Sequence, residues 1–462
     1  MFYLNKIAPQ RFFLLTALTF GLLVIFITPP LQVPDEINHF YRAWQLSEGQ
    51  FLPVKNDARV GGFIPKSVDS LTVFFKKIRF ENHPNISADD ILLKFKIPLN
   101  EKEKKFIDFP NTAMYNIVSY LPQTAAIYFC RKINLPPLYT YYISRVFTLF
   151  CWLTIIYLSI SLIPQYKWLF VVLALLPMSI YIVGSNSADV VSNAAAFLFL
   201  SFVFHVIVKV KKLPVSYWFI FPFCAFIVAS AKLVYAPMLL LVFIIPKDAF
   251  PNFKIKLLFA SGIMLVTLLT LIFWSHISSE VYTPYEVYNH QYRNNLDLVN
   301  GSNMHHQIAY LKNNPFNIID VFLKSFIWNA QSFSQSYIGR LGWFNIYLPV
   351  WFIIVSYTSI ILSLLDHRNT YAFSKQQMLC IFLCIIATLM LIIFSQYLTW
   401  EKVASQRAYF LLGRYFTPVF PLLFIFIASF FKTRINLGNV PFIVTSIASC
   451  LITILTIYFW YY

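Results

Sequence analysis

A chain of 462 residues with 58% apolar side chains and only 12% charged ones has too little polar surface to cover a soluble core, so a water-soluble fold is excluded. Basic residues outnumber acidic ones, 36 against 19, for a formal charge of +17. In so apolar a chain this surplus marks the sides of a membrane and an attraction to anionic lipid, with no nucleic-acid partner, and the class that remains is an all-α polytopic membrane protein.

The first apolar run, Phe12 to Thr28, follows Lys6 and Arg11 in the manner of a signal peptide. No small-x-small cleavage pattern comes after it, so it reads as a retained anchor. Runs of spanning length predict about eleven membrane helices, at 12–30, 139–163, 167–184, 190–208, 216–230, 233–246, 257–276, 346–365, 377–397, 414–431 and 440–460. The stretch 216–246 is interrupted at Ser230-Ala231-Lys232, which allows either two short spans or one kinked span with a re-entrant piece.

Short cytoplasmic loops retain Lys and Arg. With the N-terminus inside, Lys209, Lys211 and Lys212, then Lys247, Lys254 and Lys256, then Arg368 and Lys375, then Lys432 and Arg434 all fall on the cytoplasmic side. Residues 1–462 then form one membrane domain with two elaborated outer segments, 31–138 and 277–345. The first is expected to carry amphipathic helices lying along the membrane. The second, with Tyr282, Tyr285, Tyr288, Tyr292 and Trp328, offers aromatic surface for sugar rings or, more commonly, for lipid headgroups. The six cysteines lie in or beside apolar runs, a spacing that predicts neither disulfides nor a zinc site.

Chemistry concentrates where the first span ends, in Pro29-Pro30-Leu31-Gln32-Val33-Pro34-Asp35-Glu36-Ile37-Asn38-His39. Charges at the mouth of an apolar helix are costly to desolvate unless they serve a partner, a metal or a proton transfer. Asp35 and Glu36 are therefore the candidate catalytic acids. Each has a plainer alternative as an N-cap of the helix that begins near Ile37. His39 shares a helix face with Asp35, where it would either bind a metal with that carboxylate or hydrogen-bond to it. Asp189, Lys232, Tyr235, Arg340, Glu401, Arg407 and Arg414, the last opening Gly413-Arg414-Tyr415-Phe416, map to the same outer surface. An acid ringed by cations suits a lipid-linked phosphate or pyrophosphate, since Arg binds its oxygens through a fork and Lys as a point charge. The plainer readings are snorkelling anchors for Lys232, Arg407 and Arg414 and a helix cap for Asp189.

The run Pro-x-Gln-x-Pro-Asp-Glu-x-x-His-x-x-Arg-Ala-x-x-Leu-x-x-Gly, from Pro30 to Gly49 and including Arg42, resembles the opening signature of a bacterial family of multi-span membrane proteins defined only as a domain of unknown function. Ser187-x-Asp189, Lys232-x-x-Tyr235 and Arg414-Tyr415-Phe416-x-Pro418 resemble its later landmarks. That family is in turn similar to the GT-C class of glycosyltransferases, which take a sugar from a polyprenyl phosphate or pyrophosphate with an acidic residue of the first outer loop. The resemblance implies a GT-C-like fold with amphipathic jaw helices at 37–49 and 111–130, and Asp35, or else Glu36, as the base. His39, Arg42, Asp189, Lys232, Tyr235, Arg340, Arg407, Arg414 and Tyr415 would bind substrate.

The same resemblance implies a polyprenyl-phosphate-sugar donor and a surface-glycan acceptor such as lipopolysaccharide O-antigen. The enzyme would work in the bacterial inner membrane with its site facing outward. Some members of the class use a divalent cation, Mg or Mn, for which Asp35 and His39 would be the ligands here. The rivals are a transporter or flippase of a lipid-linked substrate, and a non-catalytic partner in surface-polymer assembly.

Overall fold

A computed structural model describes residues 6–294, 296 and 298–462. The chain is mostly helical. Among the described residues, six helices are long and apolar enough to cross a membrane: Pro9–Ile27, Pro137–Leu162, Asp189–Lys209, Phe253–Val281, Lys375–Trp400 and Val440–Tyr461. The other five expected spans are shorter or broken, each with a local cause.

Segment 167–184 divides into Lys167–Ala174 and Pro177–Val183, because the residue ahead of a proline is disfavoured in helix. Segment 414–431 becomes a 3₁₀ turn, Gly413–Phe416, and a helix, Phe420–Ala428, separated around Pro418. The interrupted stretch gives a helix, Tyr217–Ala231, and a 3₁₀ helix, Leu233–Ile244, joined at Lys232, whose backbone is extended at φ −153°. Val350–Leu364 is a regular helix of 15 residues. At about 1.5 Å per residue it spans roughly 22 Å, less than the roughly 30 Å of a hydrocarbon core.

The first helix stops at Ile27 because Thr28 precedes Pro29-Pro30. It packs against Pro137–Leu162 and Val440–Tyr461. Asp189–Lys209 runs through the middle of the bundle, 83% buried. One apolar core joins these helices, drawn from residues as distant in sequence as Phe13, Trp152, Phe199, Tyr397 and Ile457.

Segment 31–138 builds a second core around Phe40, Trp44, Val60, Ile64, Leu71, Phe75, Phe109 and Tyr120. It also forms a three-stranded antiparallel sheet: β1, Val54–Asn56, pairs with β2, Arg59–Pro65, which pairs with β3, Lys104–Asp108. Gly61 is required in β2, since a Cβ there would lie 1.9 Å from the Ile107 carbonyl oxygen. Helices form at Glu36–Ser47 and Leu121–Lys132, close to the two expected jaw segments, but nearly every side chain of Glu36–Ser47 is buried. That helix is enclosed by the sheet and by Leu121–Lys132, and has no face left for lipid.

Segment 277–345 contributes helices Met304–Asn313, Asn317–Trp328 and Ala330–Gly339 and, with the residues just after it, a hairpin pairing Arg340–Leu341 with Ile346–Tyr347. Its aromatic residues act mainly as joints. Tyr288 is buried, donates to Asp108 Oδ1 at 2.6 Å and accepts from the Val60 amide at 2.9 Å, so segments 31–138 and 277–345 are locked together. Tyr292 lies under the Arg59 guanidinium at 3.5 Å. Trp328 stays exposed.

Candidate active site

Asp35 sits between the end of the first span and the helix Glu36–Ser47, with φ +63°, a conformation that Asp tolerates better than most side chains. It occupies the N-cap position, but its carboxylate makes no capping bond. Oδ2 instead accepts from Arg414 Nη2 at 2.7 Å and Oδ1 from Asn111 Nδ2 at 3.3 Å. The capping alternative for Asp35 therefore gives way to a tertiary role. A non-glycine residue held in the left-handed region by its surroundings is a common mark of a functional position.

Glu36, its neighbour, is placed differently. Both carboxylate oxygens bind Arg145, at 2.8 and 2.7 Å, and Oε1 also accepts the Asn186 amide at 2.9 Å. Glu36 and Arg145 side chains are both 0% exposed. Arg145 Nη1 further donates to the carbonyls of Ile25 and Thr28 at 3.0 and 3.1 Å, which the end of the first span leaves open. Glu36 has no face left for a substrate, and the pair ties together the first span, the next long helix and the Asn186 turn.

The cations gather on the side of Asp35 away from this clamp. Lys232, brought in by the break between helix and 3₁₀ helix, pairs with Asp189 at 2.5 Å. Asp189 opens the helix Asp189–Lys209 without a side-chain cap, so its carboxylate also serves a tertiary partner. Arg414 and Lys232 flank one ring, that of Tyr415, at 5.2 and 5.4 Å, and Lys232 also faces Tyr115 at 5.6 Å. Tyr235 holds this arrangement by donating to the Tyr415 carbonyl at 3.0 Å. Gly413 permits the approach of the Arg414 backbone to Ala330–Gly339, since a Cβ there would meet the Phe333 carbonyl at 2.3 Å. Arg414 is buried and Lys232 half-buried, and each is ion-paired with an acid, which is not the arrangement of a snorkelling anchor. Arg414 Nε and Ser230 Oγ, two residues from Lys232, are buried and have no partner. Unused buried donors beside two cations are what an incoming anion's oxygens would satisfy.

His39 is buried with Nδ1 2.7 Å from the Tyr120 hydroxyl. Burial pushes its pKa down to about 4, so it is neutral at pH 7. Its folded pKa lies below the ordinary value near 6.5, so the unfolded chain binds the extra proton between pH 6.5 and 4 and stability falls as pH drops through that window. The loss approaches about 3 kcal/mol at pH 4. Thermal unfolding of the detergent-solubilised protein at pH 7.5 and 4.5 is expected to show a drop in midpoint that His39→Gln reduces; an equal drop in the variant would show that other groups carry it.

The remaining expected residues lie apart from this centre. Arg42 is buried and braces the outer fold, binding Gln45 Oε1 at 2.6 Å and the Phe51 carbonyl at 2.9 Å. Arg340 supports its own hairpin through the Phe344 carbonyl at 2.6 Å and the Tyr347 hydroxyl. Arg407 stacks on Trp328 and Tyr409 at 5.4 and 4.7 Å. Glu401 accepts from the Tyr409 amide at 2.6 Å and organises that loop.

The donor set does not suit a resident Mg or Mn ion. Both Asp35 oxygens are engaged, His39 Nδ1 is engaged, and Asp189 faces Lys232; two acids are already matched by two cations. No group of three or more His, Cys, Asp or Glu residues with metal-binding placement occurs among the described residues.

Sequence reading missed Asn111, Tyr115 and Arg145. Asn111 and Tyr115 fall within an amphipathic stretch that reads as ordinary interfacial polarity. Arg145 was detectable as a lone charge inside an apolar run, a signal that by itself asks for a buried partner.

No curated protein and no solved structure matches the chain. A family model does, over residues 18–423, from within the first span, through Asp35, Asp189, Lys232 and Arg414, to the helix after Pro418. The chain belongs to the family described as "Predicted membrane protein (DUF2142)".

Proposed function

We propose that this chain is an inverting glycosyltransferase of GT-C type that moves a sugar from a polyprenyl phosphate or pyrophosphate to a bacterial surface glycan, such as O-antigen, on the outer face of the inner membrane. The observation that carries the reading is the meeting of Asp35, Arg414, Asp189 and Lys232, four ionisable groups from four separate parts of the chain, beyond the end of the first long helix. In this reading all eleven apolar segments cross or re-enter the bilayer with the N-terminus inside.

The chemistry follows from the placement. Arg414 and Lys232, flanking Tyr415, receive the donor phosphate, and the free Nε of Arg414 lets it take a phosphate oxygen while it still faces Asp35. Asp35 Oδ1, on the other side, accepts the proton of an acceptor hydroxyl. A new bond forms from the acceptor hydroxyl oxygen to the anomeric carbon as the bond from the anomeric carbon to the phosphate oxygen breaks. The lipid phosphate leaves with the electron pair, stabilised by the two cations. Attack opposite the leaving group inverts the anomeric centre. No nucleotide is needed.

The test compares wild type with Asp35→Asn, at equal membrane levels, in a strain lacking the gene, reading the mass of the surface glycan. Wild type is expected to add one hexose-sized increment that Asp35→Asn loses. The same increment with both removes Asp35 from the chemistry. An increment with neither points to transport or assembly of a lipid-linked substrate.

A further inference from the structure

A second concave site adjoins the charged cluster on the side away from Arg414. It is a cleft of about 120 Å³ between the first outer segment and the hairpin of the second. That is roughly ten times the space one water molecule requires, and comparable to one sugar ring. Three aromatic side chains from three parts of the chain line it: Tyr41, Trp343 and Trp400. Asn38 and Asn111 line its inner end. Asn38 Nδ2 donates to Asn111 Oδ1 at 2.8 Å, and Asn111 Nδ2 to Asp35 Oδ1 at 3.3 Å, so the cleft connects by two hydrogen bonds to the carboxylate that faces Arg414 on its other oxygen.

We propose that this cleft binds the terminal neutral pyranose of the acceptor glycan, with its reactive hydroxyl at the Asn111 end beside Asp35; this rests on the glycosyltransfer reading above. Indole and phenol faces pack on the C–H face of a pyranose, while the ring hydroxyls need donors and acceptors at its edge. Trp343 supplies an unmet need of that kind: its Nε1–H is buried and has no hydrogen-bond partner. The two carboxylates in the wall are already neutralised. Asp108 binds Arg59 at 2.6 Å and Asp69 pairs with Lys105, while the two cations of the wall are Arg79, which lies over the Trp343 ring at 4.3 Å, and the solvent-exposed Lys76, so the cleft does not favour a cationic ligand.

Asp35 thus has one oxygen for each substrate. Oδ2 accepts from Arg414, one of the two cations that receive the phosphate, and Oδ1 accepts from Asn111, the residue through which the cleft reaches this carboxylate. The expected aromatic stripe at Tyr282–Tyr292 does not line this site; Tyr41 comes from the helix Glu36–Ser47, Trp400 from the end of the helix Lys375–Trp400 and Trp343 from the hairpin turn.

The test uses the full-length protein in detergent and ligand-observed saturation-transfer NMR with the methyl glycosides of glucose, galactose, mannose, rhamnose and glucuronic acid. In parallel, phosphorus NMR follows inorganic pyrophosphate. At least one neutral glycoside is expected to receive saturation at its ring C–H protons. Trp400→Ala should weaken that binding by roughly tenfold or more. Trp343→Phe, which keeps an aromatic face and removes only the donor, should weaken it by roughly threefold to tenfold. Both variants should bind pyrophosphate as wild type does. Binding of none of the neutral glycosides, preference for the glucuronide, or equal neutral-sugar binding in wild type and both variants overturns the proposal. Neutral-sugar binding that Trp400→Ala abolishes, in a protein that ignores pyrophosphate, would sink the phosphate half of the function and leave this site standing.

Discussion

Asp35→Asn is expected to insert and fold as the parent chain does, and to lose about two to four orders of magnitude in turnover, the usual contribution of a positioned general base. The amide has the shape of the carboxylate and can still bond Asn111, so the local backbone keeps its support. What it lacks is a lone pair basic enough to accept a hydroxyl proton. Arg414 loses a neutralising partner, but Asp189 lies within its electrostatic reach and limits the damage. The measurement is modified glycan per unit of membrane protein, together with pyrophosphate binding to the purified variant. Lost modification with retained or tighter pyrophosphate binding fits a base. Loss of both would instead give Asp35 the role of orienting Arg414.

Arg414→Lys separates the same two roles from the other side. It keeps the positive charge and loses the planar fork that serves Asp35 and a phosphate together. A weaker affinity for the donor, with less effect on turnover at saturating donor, is the expected result. An unchanged affinity would take Arg414 out of phosphate binding.

Arg145→Ala has the largest expected effect on the fold. It leaves a fully buried Glu36 carboxylate without its cation and exposes the Ile25 and Thr28 carbonyls to an apolar interior. Breaking a buried pair on one side costs about 3–5 kcal/mol. For a domain whose total stability is on the order of 5–15 kcal/mol, that is enough to remove most of the folded protein from the membrane. Glu36→Gln is the milder change, because a neutral amide can still accept from Arg145 and from the Asn186 amide; it should cost less and leave measurable activity. Protein level and thermal midpoint by fluorescence size-exclusion chromatography check both. An Arg145→Ala chain with normal level and midpoint would show that the pair is not structural. Loss of activity in a well-folded Glu36→Gln chain would return Glu36 to the chemistry.

Legibility differed between parts of the chain for physical reasons. The long spans are visible because about twenty apolar residues in a row have few alternatives to crossing a bilayer. The short and broken ones looked equal to them in hydropathy, which registers apolar content but not the backbone limits set by Pro177 and Pro418 or the extended conformation at Lys232. The sheet was hidden for a related reason. β2 carries Gly61-Gly62, which reads as a turn, and its partner β3 is a lysine-rich run some forty residues later, so neither strand has a local pattern that announces the other.

The amino-acid sequence by itself determined that this is a multi-span membrane protein, and that Asp35, Asp189, Lys232 and Arg414 need partners, because an ionisable group near a bilayer is too costly to leave alone. Tertiary structure decided which partner each one found. Asp35 and Glu36 are adjacent and chemically alike, yet the left-handed turn at Asp35 sends one carboxylate into a sealed clamp with Arg145 and leaves the other, partly exposed, between Arg414 and Asn111. That division depends on contacts between residues more than a hundred positions apart, for which the chain carries no local signal.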